Sequence, residues 1–223
     1  MIEQPETISK VLDDLAVSHR RLAKLVDEFS EADVRAESAL PGWTRAHVLT
    51  HLAELAAALT RQVTEAMAGR LVDVYDGGRP ARAAAIEAGA GRPVGELATA
   101  VTTASDRLAA ALSTVDDWTR PVRYRDGTLA DVALCRWREV ELHTTDLAVG
   151  YGPDQWSADL CHHVIGMRAE RALTLVTPEG TWTVGTGTPV TATGELTDLT
   201  ASLVGRPHGP VTTSEPWTPE PWG

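Results

Sequence analysis

The strongest constraint on this chain is an apolar stripe of helical period that recurs four times before residue 150 and then stops. Ile8, Val11, Leu12, Leu15, Leu22, Leu25, Val26 and Phe29 repeat every three or four positions, and the spacing predicts a helix over 7–29. The turn PGWT at 41–44 follows, with Thr44 suited to an N-cap. Val48, Leu52, Leu55, Leu59 and Val63 then stripe a second helix over about 45–68. Pro93 fits a first helical turn and opens a third helix through Leu97, Val101, Leu108, Ala111 and Leu112. A fourth runs over about 129–149, started by a capping-box-like pair, Thr128 and Asp131, and stopped by Gly150. The stretch 69–92 is rich in Gly and Arg and reads as a long connection with a helical turn inside it; connections of that length are often functional. Each helix has one apolar face to bury, and four such faces suit a four-helix bundle.

The pattern changes after Gly150-Tyr151-Gly152-Pro153. Ser157 can cap a helix over 158–171. LTLVT and TWTVG flank PEG as a hairpin, TPVTATG reads as a third strand, and ELTDLTASLVG puts Leu196, Leu199 and Leu203 on one helix face. PVTTS suits a last strand, and the Pro-rich TSEPWTPEPWG reads as an extended or frayed end. The fold class expected is therefore α+β: a bundle over 1–154 followed by a small α/β domain over 155–223.

Composition mainly excludes. A net charge of −11 without a basic stripe argues against a nucleic-acid partner. No apolar run nears the roughly 20 residues that span a bilayer, so no membrane partner is expected. The polar start MIEQPETISK does not read as a signal peptide, which makes the cytoplasm the expected compartment. Two cysteines, Cys135 and Cys161, cannot build a disulfide framework or a four-thiolate zinc site.

Chemistry concentrates in two helical spacings. In Glu139-Val-Glu-Leu-His143 the outer residues are four apart, on one helix face. They can offer an oxygen and a nitrogen to one ion, although an exposed hydrogen-bonded pair has the same spacing. In His47-Val-Leu-Thr-His51 two histidines share a face, without the glutamate of a zinc-protease motif. His51 falls on the stripe of Val48 and Leu55 and should point inward, as a ligand or as a histidine bonded to a carbonyl. Two imidazoles and a carboxylate leave coordination positions open, as catalysis requires. Asp146, three after His143, can orient that ring. Cys135, one turn before Glu139, is a ligand, a nucleophile or a small packed hydrophobe. Arg79, Arg82 and Arg206 are candidates for gripping a carboxylate, or are surface charge. No G-x-S-x-G, P-loop or G-x-G-x-x-G is present.

PGWTRAHVLTHLAE resembles the signature of DinB-like metal-binding helical bundles. With RAAAIEAGA, RWREVELHTTDL, LVGR and the ending GPVTTSEPWTPEPWG, the chain resembles the mycothiol-dependent maleylpyruvate isomerase family nearly end to end. The resemblance implies a DinB-like four-helix bundle with a small C-terminal α/β domain and the active cleft between them. It implies a divalent metal, for which zinc suits the donors, on His51, Glu139 and His143. It also implies Arg82 and Arg206 near the substrate. The implied cofactors are that metal and mycothiol. The implied partners are a small-molecule substrate and a low-molecular-weight thiol, with the chain a monomer or homodimer. The implied reaction turns maleylpyruvate into fumarylpyruvate by reversible thiolate addition. A mycothiol S-transferase on the same scaffold is the alternative, and a non-enzymatic sensor a third.

Overall fold

The computed structural model describes residues 5–168 and 172–216. The chain divides into two compact units, 1–149 and 150–223. In the first unit the long helices are α1 (Pro5–Asp27), α3 (Arg45–Met67), α5 (Val94–Leu112) and α6 (Leu129–Asp146). They pack in a closed ring, α1 on α6, α6 on α3, α3 on α5 and α5 back on α1, so every stripe finds an apolar partner. The α1 stripe Ile8, Val11, Leu15, Leu22 and Val26 is buried, as are Val48, Leu52, Leu55, Leu59 and Val63 of α3. Burying a side chain of this size stabilises by about 1.5–3 kcal/mol.

Local chemistry sets the ends. Asp131 accepts the Thr128 N–H at 2.8 Å, which starts α6 as the sequence predicts. His47 occupies the matching position of α3, where its Nδ1 accepts the Thr44 N–H at 3.1 Å. Helix α6 ends at Asp146, and the left-handed Gly150 (φ 87°) turns the chain away.

Two helices were not read as such. The stretch expected to be a connection contains a 13-residue helix, α4 (Gly78–Ala90), of which only Ile86, Gly89 and Ala90 are buried. A helix with so little to bury carries no readable stripe. A five-residue helix, α2 (Glu31–Arg35), precedes the GWT turn. It serves the end of α4: Arg35 donates to the carbonyls of Ala90, Gly91 and Arg92, and Glu31 accepts the Val94 N–H at 2.9 Å. Orphan carbonyls at one helix end and an orphan donor at the next start are thereby met.

The second unit holds α7 (Ala158–Arg168), β1 (Leu173–Thr177), β2 (Gly180–Val184), β3 (Val190–Thr193), α8 (Leu196–Leu203) and β4 (Thr212–Thr213). The sheet order is β2-β1-β3-β4, with β1 antiparallel to β2, parallel to β3, and β3 antiparallel to β4. Period-2 alternation puts Leu173, Leu175, Val190 and Ala192 on one face, where Ile165 of α7 and Leu199 and Leu203 of α8 cover them. The Ser157 hydroxyl accepts the Leu160 N–H at 3.2 Å, capping α7. The end of that helix expected over 169–171, and the Trp-bearing stretch after 216, lie outside the described residues. No helix among the described residues is long and apolar enough to cross a membrane.

Candidate metal centre

The register of α3 against α6 is pinned at one end. The Ala39 N–H donates to the Asp146 carbonyl at 2.8 Å, and Arg45 Nε to the Leu147 carbonyl at 2.7 Å. The start of α3 thus sits at the end of α6. Each helix rises about 1.5 Å per residue, so His51, six residues into α3, comes level with His143 and Glu139.

These three side chains converge. His51 Nε2 lies 3.2 Å and His143 Nε2 3.4 Å from Glu139 Oε2. One ligand atom from each lies within 4.8 Å of the others. The imidazole rings meet edge to face, with centroids 4.6 Å apart. His51 is 2% exposed, and the Glu139 side chain keeps 13%. Zinc bonds of about 2.0–2.1 Å at tetrahedral angles separate neighbouring ligand atoms by roughly 3.3 Å. The observed spacings and the chemistry of the donors therefore fit a single divalent ion. Asp146 Oδ2 lies 2.8 Å from His143 Nδ1 and accepts the ring proton there, so Nε2 is the nitrogen a metal would take.

The charges are consistent with this. Burial alone would raise Glu139, but the hydrogen bonds from His143 and His51 outweigh it and hold the carboxyl well below its usual range. Burial and the neighbouring His143 push His51 down to about 4, so it is neutral at physiological pH. For His143 burial opposes the charge, and the hydrogen bonds to Asp146 and Glu139 overcome it and raise the ring.

Arg82, on α4, reaches the same place, with Nη2 3.0 Å from His51 Nδ1 and its guanidinium 6.0 Å over the Tyr75 ring. The reach depends on Gly89, two turns later, where a Cβ would run into Thr50 Cγ2. Any larger residue there requires the buried Thr50 side chain or α4 itself to shift. Arg79 lies exposed in the first turn of α4.

The other sequence candidates fall elsewhere. His47 turns from the cluster, stacks on Trp43 and approaches Glu87 at 3.5 Å. Arg206 belongs to the second unit, follows the left-handed Gly205, is 5% exposed and donates to the Val204 carbonyl at 2.6 Å. Cys135 is buried, its thiol pushed up to about 11 by burial and hydrogen-bonded to Tyr124. A neutral thiol is a poor ligand and nucleophile. Cys161 is likewise buried, and burial pushes its thiol up to about 11.

Sequence reasoning missed two neighbours. Arg138 Nη2 donates to the Tyr124 hydroxyl at 3.1 Å, and its Nε is 3.9 Å from Glu139 Oε1. The only signal was Arg138 standing next to Glu139 in RWREVELH.

Fold and site together define a four-helix bundle whose interior carries a two-histidine, one-carboxylate donor set able to hold a divalent cation. Residues 15–148, more than half of the chain, match the family described as mycothiol maleylpyruvate isomerase N-terminal domain, and the chain belongs to that family. Two similar crystal structures share the fold, both with a TM-score of 0.86 over 96% of this chain and 97% of theirs. One is described as the mycothiol-dependent maleylpyruvate isomerase, 21% identical, and the other as a histidine-to-alanine mutant of that isomerase, 20% identical. No curated protein sequence matches.

Proposed function

We propose that this chain is a metal- and mycothiol-dependent isomerase that converts maleylpyruvate, a cis-enedione with two carboxylates, into its trans isomer fumarylpyruvate. Membership of the family supports the reaction class. The single observation that carries the reading is the convergence of His51, Glu139 and His143 on one point, with Asp146 behind His143.

A thiolate adding reversibly to the conjugated alkene makes the central bond single for long enough to rotate, and a divalent metal keeps that sulfur ionised; this is the chemistry the bound thiol and metal supply. His51, Glu139 and His143 would hold the ion, with zinc suited to this donor set. Asp146 fixes the proton of His143 on Nδ1 and so keeps Nε2 available. Arg82 would hold one substrate carboxylate by its planar fork, and Arg206 the other. Arg206→Ala should raise KM at least tenfold while metal content stays unchanged; unchanged steady-state kinetics would remove Arg206 from the site.

The test is ultraviolet assay of maleylpyruvate with the purified, zinc-loaded protein, with and without mycothiol. Conversion to fumarylpyruvate that requires both zinc and the thiol is the expected result. No conversion, or conversion indifferent to the thiol, would refute the proposal.

A further inference from the structure

His51 and His143 present the same ring nitrogen to Glu139 but differ on their far sides. Behind His143 stands an acceptor, Asp146. Behind His51 stands Arg82, whose Nη2 is 3.0 Å from Nδ1. A guanidinium has only donors and stays protonated in proteins. His51 Nδ1 is therefore the acceptor, and the neutral ring carries its one proton on Nε2, aimed at Glu139 Oε2 3.2 Å away. A metal on Nε2 requires that proton on Nδ1 instead. An Nδ1–H facing the guanidinium would set donor against donor. The Arg82–His51 hydrogen bond and a metal ion on His51 Nε2 exclude each other.

We propose that Arg82 is a positioning residue whose bond to His51 must break before a metal seats on Nε2, so that metal loading releases the guanidinium to bind a carboxylate. The inference rests on the metal reading above and adds an order of events: metal first, anionic ligand second. Arg82 is half-buried on α4, and its guanidinium already lies over the face of Tyr75, where a cation–π contact can keep it once it leaves His51.

Nitrogen-15 NMR of His51 reads the exchange directly. In protein stripped with a chelator the proton should be on Nε2, and in zinc-loaded protein on Nδ1. A proton on Nδ1 in the stripped wild type would overturn the proposal. Competition titration against a chromophoric chelator gives the energetic side. Arg82→Ala no longer has that bond to break and should bind zinc about tenfold tighter than wild type. Arg82→Gln loses the same charge but offers an amide oxygen to Nδ1–H, so it should bind tighter than the Ala variant. Affinity no higher in Arg82→Ala, or equal in the two variants, would leave no role for the hydrogen bond and refute the mechanism. With malonate as the probe anion, the Arg82 Nε–H resonance should shift in zinc-loaded protein and stay put in stripped protein; equal shifts in both would contradict the release. If wild type and variants alike fail to bind zinc, the metal reading itself falls and takes this inference with it. Zinc binding without the tautomer exchange defeats the inference alone.

Discussion

Two buried polar clusters lie one turn apart on α6, and they are opposite in kind. At Arg136, fully buried, a cation meets three acceptors: His19 Nε2 at 3.0 Å, the Leu52 carbonyl at 2.7 Å and Ser105 Oγ at 2.9 Å. Each guanidinium nitrogen has a partner, and the cluster ties α6 to α1, α3 and α5 at once. At Glu139 two imidazoles and a carboxylate converge, all three of them bases. The first cluster completes itself. The second satisfies itself only with protons on its rings, and otherwise calls for a cation. Both are buried and both perturb their ionisable groups: burial and the Arg136 charge push His19 down to about 3, and burial pushes Arg136 down to about 10. Perturbation by itself therefore does not mark a functional site. The sign of what converges does.

The contrast can be broken at either end. Arg136→Ala should have the largest effect, because it removes a filled volume and leaves three buried acceptors without their donor. It should cost about 3–5 kcal/mol in urea unfolding, or abolish folding; an unmoved midpoint would mean the cluster holds nothing together. His51→Ala should do the reverse, leaving the far-UV helix signal intact while zinc affinity falls more than a hundredfold, about 2.7 kcal/mol. Retained affinity would erase the distinction between the clusters. Asp146→Ala takes the orienting acceptor from His143 and should weaken zinc about ten- to hundredfold, measured by the same titration; an unchanged constant would make Asp146 a structural group only.

The smallest expected effect is a pH dependence. His19 is neutral in the folded protein down to about pH 3, whereas an unfolded histidine protonates near 6.5. As pH falls, the unfolded state takes up the proton first. Stability is therefore full above about pH 6.5 and declines as pH drops toward 3. Between pH 7 and 5 the loss from this residue is about 2 kcal/mol, and His19→Gln should remove that part of the slope in urea unfolding. A slope identical in the variant would show that His19 is not held neutral by the fold.

How much of this was legible in the sequence follows from what each element buries. The four long helices announce themselves, because each has a full apolar stripe such as Val48-Leu52-Leu55-Leu59. The Glu139–His143 pair and Asp146 behind it were visible as helical spacings. Helix α4 was not, since Ile86, Gly89 and Ala90 give it too short a stripe to read. Arg35, which holds its end, looks like any surface arginine. Arg136 looked like one charge among several in RWREVELH; its burial depends on acceptors from three other helices that no local pattern shows. Gly89 was only one glycine of a Gly-rich connection, whereas it marks the close approach of α4 to Thr50. That His51 would come level with Glu139 and His143 depends on the register that Arg45 sets at the start of α3.

The central claim is that His51, Glu139 and His143 share one ion. X-ray absorption at the zinc edge of protein loaded with a single equivalent tests it most directly. The account predicts two imidazole nitrogens and one carboxylate oxygen at about 2.0–2.2 Å, with no sulfur, since Cys135 is not among the converging donors. A sulfur shell near 2.3 Å, or a first shell without imidazole scattering, would contradict it.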